Sequence, residues 1–163
     1  MARSSRDLVH YDLDPSEHVH GMRLAIEAAL ENPAKPFGAV IIERATGRLV
    51  ARGVNATDRG VLLHGEVVAL SALPLEWSQA GGAGLTLYTT AEPCVMCQAA
   101  ILWAGIDEVV YGVSVPDLVA LGWRQFSLRA IDIAAAWSHH PCRIVPDVLR
   151  DDCLRLFEAA AVR

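Results

Sequence analysis

Lysine is nearly missing from this chain: Lys35 stands alone beside 13 arginines, and the net charge is −5. Proteins that grip polynucleotides usually gather basic side chains into one patch. Here Arg124, Arg129, Arg143 and Arg150 are scattered, so a nucleic-acid partner is not expected. Long apolar runs are missing too. No stretch approaches the roughly 20 residues that a membrane helix needs, and residues 1–7 lead into no apolar segment of the kind a secretory leader carries. These absences predict a cytoplasmic protein without membrane contact. No repeat or low-complexity tract is present. No glycine loop is paired with a lysine to cradle phosphate, and Gly81-Gly82-Ala83-Gly84 reads as a linker.

What is present describes a folded domain. Hydrophobic residues make up 53% of the 163 positions and charged residues 20%, a balance that supports one domain with a real core over residues 1–163. Residues 1–14 read as a loose arm. Asp14-Pro15-Ser16-Glu17 opens a helix, with Asp14 or Ser16 as cap, and Asn32-Pro33 stops it. Strands are expected at 37–42 and 48–54 around an Ala45-Thr46-Gly47 turn, followed by a loop over 55–63. A helix over 64–73, a strand over 85–90, an apolar helix over 94–104 and a strand over 107–113 come next. The pattern is fainter beyond: a short helix at 116–122, a short strand at 143–145 and an amphipathic helix over 147–161. This order predicts an α/β layered domain with a mixed sheet.

The chemistry concentrates in two short motifs, His64-Gly65-Glu66 and Pro93-Cys94-Val95-Met96-Cys97. Four cysteines could form two disulfides, and a C-x-x-C pair could serve redox exchange, but a His-x-Glu upstream turns the choice to metal. One imidazole and two thiolates are three zinc ligands, which leaves a fourth position open for chemistry. Cys94 and Cys97 share the first turn of the 94–104 helix, where the helix dipole favours thiolate. Glu66, about 200° around a helix from His64, would lean over the open position and carry protons. A structural site would need a fourth ligand, for which Cys142, Cys153, His139 and His140 are the candidates.

With these residues the chain resembles the cytidine deaminase-like superfamily of zinc deaminases, closest to the branch of guanine deaminases and tRNA adenosine deaminases. The resemblance runs over about 16–160. It rests on Pro36-Phe37-Gly38-Ala39-Val40, on Asn55 before the His motif, on Thr90-Ala91-Glu92-Pro93-Cys94-Val95-Met96-Cys97, and on Val148-Leu149-Arg150-Asp151-Asp152-Cys153. Gly65 replaces the usual Ala of His-Ala-Glu. The resemblance implies a three-layer α/β/α sandwich with a central mixed five-stranded sheet and one Zn2+ per subunit held by His64, Cys94 and Cys97. It implies Glu66 as the proton carrier and the backbone N–H of Cys94 as the group holding the reacting oxygen. Asn55 would bond the base, Phe37 would line the pocket or simply pack in the core, and Cys153 would be a packed helix residue.

The implied reaction is hydrolytic removal of an amino group from a free base or nucleoside, with ammonia as product. A purine, guanine-like, is favoured. Guanine deaminases of the branch often carry an acidic pair after a Gly-Phe; here Gly122-Trp123-Arg124-Gln125-Phe126 has no acid. Gln125 offers both donor and acceptor to a base edge, and Trp123 could stack on the ring or serve as an ordinary packed aromatic. Cytosine, cytidine, a triazine or a pterin is the alternative, tRNA adenosine a lesser one, and an inactive binding protein the least. The apolar 94–104 helix with Trp103 calls for burial on several sides. The resemblance implies a homodimer in which the C-terminal segment closes the neighbour's pocket. Trp137, His139 and His140 are candidates for closure or plain surface-loop residues.

Overall fold

The computed structural model describes residues 16–161. The expected arm over 1–14 and the Asp14-Pro15 helix start lie outside the described residues. Helix α1 (Ser16–Ala29) buries Met22, Ala25, Ala28 and Ala29 on one face. It leads into a hairpin of β1 (Gly38–Glu43) and β2 (Leu49–Val54), joined through Gly47 at φ 71°. Helices α2 (Gly65–Ser71) and α3 (Leu75–Ala80) precede β3 (Leu85–Ala91). Then follow α4 (Val95–Trp103), β4 (Glu108–Val113), α5 (Val115–Ala120), α6 (Ala130–Ala136), β5 (Arg143–Val145) and α7 (Arg150–Ala161).

The five strands form one mixed sheet in the order β2-β1-β3-β4-β5. Strand β1 is antiparallel to β2 and β3, while β3, β4 and β5 run parallel. Every residue of β3 and β4 is buried, as parallel strands covered on both faces require. The two-residue period of β1 divides the core. Val40 and Ile42 join Met22, Tyr88, Val110, Cys153 and Phe157 on one face. Ala39 and Ile41 join Ala69, Leu87, Ile101 and Val109 on the other. The result is the three-layer sandwich that the motifs imply.

Two helices were not legible in the sequence. Helix α3 is six residues long and starts directly after Pro74, which was expected only to end a helix; Pro74 is its N-cap residue. Helix α6 is an alanine-rich turn whose start is held by Arg129 N–H donating to Asp132 Oδ2 at 3.0 Å. The last helix begins at Arg150 and not at 147, because Asp147 and Leu149 take left-handed φ values of 64° and 48°. Cys153 is fully buried in it, against Gly112, where a Cβ would lie 2.4 Å from its sulfur.

Candidate functional site

Sheet register gathers the motifs at one end. Gly38 pairs with Val54, and Ala39 pairs with Thr89. The entry to β1, the exit from β2 and the exit from β3 therefore lie side by side. Phe37, Asn55 and the Glu92-Pro93-Cys94 turn become neighbours, and Asn55 N–H donates to Phe37 O at 3.0 Å. His64 is the N-cap of α2 and Cys94 the N-cap of α4, both with extended backbone. His64 thus stands outside the helix proper, and its angular relation to Glu66 is set by the cap and not by a helical wheel.

The two helix starts converge. The ligand atoms of His64, Cys94 and Cys97 all lie within 4.8 Å of one another, forming the one such group of three among the described residues. Cys94 Sγ is 3.6 Å from His64 Nδ1. Tetrahedral zinc with ordinary Zn–S and Zn–N bonds sets that separation at about 3.6 Å, so the donor set fits a zinc ion. Cys142, Cys153, His139 and His140 do not join the group. Cys142 lies beside Gln98 instead, and His140 accepts a hydrogen bond from Trp137 Nε1 at 3.1 Å.

In the polypeptide alone the charges are already sorted. The Cys97 thiol donates to Cys94, and this bond with His64 beside it holds the Cys94 pKa down at about 4. The same bond pushes Cys97 far above the ordinary thiol value. His64 is raised by its bond to the Cys94 sulfur. Glu66 is 3% exposed, and burial raises its pKa. Thr89 Oγ1 donates to Glu66 Oε1 at 3.4 Å. The Cys94 thiolate, the Cys97 thiol and a buried carboxyl group thus sit together.

A cavity of about 380 Å³ opens on this cluster. It is lined by Phe37, Asn55, Thr57, His64, Glu66 and Trp123, with Glu92, Cys94, Gly122, Arg124 and Gln125 completing it. All four expected base-binding residues, Asn55, Phe37, Trp123 and Gln125, border it. Phe37 borders the cavity, and its ring also packs edge-on against Trp123 and Phe157 at 5.1 and 4.9 Å. Trp123 Nε1 is buried without a hydrogen-bond partner among the described residues.

Glu92 has a role that the sequence alone did not reveal. Its buried carboxylate accepts from Val115 N and Ala130 N, each at 2.8 Å, and from Arg129 Nε at 2.7 Å. Arg129 also donates to Tyr111 Oη at 3.0 Å. One side chain, next to the metal-facing turn, therefore fastens both ends of the 115–130 segment that carries Trp123, Arg124 and Gln125. Its position before Pro93 was the only sequence signal.

The model of the cytidine and deoxycytidylate deaminase zinc-binding region matches residues 15–113. Among curated proteins, the chain is 28% identical to a probable cytosine deaminase of Schizosaccharomyces pombe, covering 78% of this chain and 80% of that one. It is 36% identical to the tRNA-specific adenosine deaminase of Agrobacterium fabrum, over 69% of this chain and 77% of that one. It is also 35% identical to the tRNA(Ile)-lysidine synthase of Deinococcus deserti over 86% of this chain, but spans only 26% of that longer protein. Among solved structures, the guanine deaminase from Nitrosomonas europaea superposes with a TM-score of 0.76 at 25% identity, covering 99% of this chain and 100% of that one.

Proposed function

Because the chain belongs to the cytidine and deoxycytidylate deaminase zinc-binding family, we propose that it hydrolyses the amino group from a purine-type base or nucleoside, guanine-like, and releases ammonia. His64, Cys94 and Cys97 hold one Zn2+. Zinc in such a site supplies a Lewis acid that brings the pKa of a bound water towards about 7. Glu66 takes one proton from the attacking water and delivers it to a ring nitrogen; it then carries the second proton, from the hydroxyl of the tetrahedral adduct, to the amino group, and ammonia leaves as the C–N bond breaks and the C=O bond forms. The Cys94 N–H, at the N-cap of α4 and so outside the helix ladder, holds the reacting oxygen. Asn55 bonds one edge of the base, Gln125 offers both donor and acceptor, and Phe37 and Trp123 form the apolar walls.

The observation that carries the purine reading is the end-to-end likeness to a guanine deaminase, over 99% of this chain. Cytosine is the second reading, from the likeness to the cytosine deaminase. A tRNA substrate is less favoured, because the chain has a net charge of −5 and a single lysine. Trp103, 77% exposed on α4 and packed edge-on against Trp137 at 5.0 Å, supports a homodimer through this apolar face.

The test is ammonia release from guanine, adenine, cytosine and their nucleosides. Guanine is expected to turn over; turnover of cytosine alone would overturn the purine reading. Glu66→Ala should keep its zinc and lose at least about a hundredfold in kcat. Retained turnover in that variant removes Glu66 from the proton-carrier role.

A further inference from the structure

We propose that Lys35 and Thr57 fix the polarity of Asn55, so that this residue can offer a bound base only an N–H donor. The inference rests on the function proposed above and concerns which base edges the cavity accepts. Lys35 Nζ donates to Thr57 Oγ1 at 2.6 Å. An ammonium group has no acceptor, so the Thr57 oxygen must accept there. Its single O–H is then committed elsewhere, to Asn55 Oδ1 at 2.9 Å. Thr57 N–H donates to the same oxygen at 3.2 Å. An atom that receives two donors is the carbonyl oxygen of the amide, and a flipped amide would set N–H against N–H.

The rest of Asn55 is spoken for. Its backbone N–H donates to Phe37 O at 3.0 Å. Its backbone carbonyl accepts from Asn32 Nδ2 at 2.9 Å, and Asn32 Oδ1 in turn accepts from Lys35 N at 3.2 Å. The Nδ2 group has no hydrogen-bond partner among the described residues, and it is not among the buried orphan atoms. It is what a 7% exposed side chain has left to offer the cavity it borders. A ring nitrogen or carbonyl oxygen facing Asn55 is therefore accepted. A base that turns an N–H towards it meets a donor that cannot rotate away.

Lys35 and Thr57 are thus positioning residues that act through Asn55, and a thermodynamic cycle tests this. Zinc-loaded Glu66→Ala protein, which should bind without turnover, is titrated with guanine and, in parallel, with cytosine. Thr57→Val keeps the side-chain shape and deletes the hydroxyl; it should weaken binding by about tenfold, the worth of one hydrogen bond. Thr57→Ser should retain the affinity, and Lys35→Met should lose part of it while Lys35→Arg does not. Asn55→Asp keeps the acceptor for Thr57 and puts a charged acceptor oxygen where the Nδ2 donor was, so it should weaken binding of a base edge that needs that donor. In the Asn55→Asp background both outer atoms are oxygens and orientation no longer matters, so Thr57→Val should cost nothing further. An equal cost of Thr57→Val in both backgrounds, or no cost in either, overturns the inference while base binding persists. Failure of both bases to bind this variant, together with no ammonia release from either by the unmutated protein, overturns the proposed function, and this inference with it.

Discussion

Gly65 stands between the metal-facing His64 and the buried Glu66, and a methyl group has no room there. A Cβ at Gly65 would lie 2.5 Å from Phe37 O, in the strand entry beside it. Across the same contact, a Cβ at Gly53 would lie 2.1 Å from Gly65 O. The departure from His-Ala-Glu thus reflects how tightly α2 packs on the β1–β2 hairpin. Gly65→Ala is expected to cost about 1–3 kcal/mol through overpacking, read as a lower urea midpoint. It should also lower deamination, because both neighbours are displaced with the backbone. The ligand types and their spacing were legible in the sequence at this scale. The tolerance for Gly at 65 was not, because it depends on a backbone atom 28 residues away.

At the scale of elements, α2 and α4 matter for where they begin. Their expected starts at residues 64 and 94 became N-cap positions, with the helices opening one residue later. Helix α5 is capped by Ser114, whose hydroxyl oxygen accepts from Asp117 N at 3.3 Å and donates to Asp117 Oδ2 at 2.7 Å. Arg150 at the start of α7 donates to Asp117 Oδ1 at 2.8 Å, tying the two helices. That Arg150 bond holds the Asp117 carboxyl below its ordinary pKa. A depressed carboxyl pKa stabilises the fold fully above the unfolded value of about 3.9, and the contribution is lost as pH falls through the lower folded value. Asp117→Asn should therefore destabilise by up to about 1 kcal/mol at neutral pH, as a half-exposed ion pair does. In denaturant titrations the gap to the unmutated protein should stay constant down to about pH 4 and close in stronger acid. Helix α3 escaped the sequence reading because Pro74 reads as a helix end, and α6 because the Ala130–Ala136 run is apolar at all but one position and shows no polar–apolar period.

On the whole-molecule scale, the metal group joins two helices from different parts of the chain, so zinc should hold the layers together as well as serve chemistry. Ligand binding to the folded state alone, at about a thousandfold over Kd, stabilises by about 4 kcal/mol. For a chain of 163 residues, that corresponds to a melting-temperature change of about 10 °C. Chelation is expected to lower the melting temperature by this order and to abolish ammonia release, with both restored by stoichiometric zinc. No change on chelation would remove the metal from its stabilising role. Among the described residues, no helix is long and apolar enough to cross a membrane, in keeping with the absence of apolar runs in the sequence.

The sequence by itself determined the ligand set, the layer type and the order of most elements, because helix starts, turn residues and apolar periods are local properties. Only the tertiary structure decided that Phe37, Asn55 and Cys94 meet, since their meeting depends on the pairing of Gly38 with Val54 and of Ala39 with Thr89. It alone decided the walls of the cavity as well. The 122–125 segment carries no periodic signal; the buried Glu92 carboxylate holds it from 37 residues away, through Arg129. Asn55 likewise takes its orientation from Thr57 and from Lys35, the one lysine of the chain.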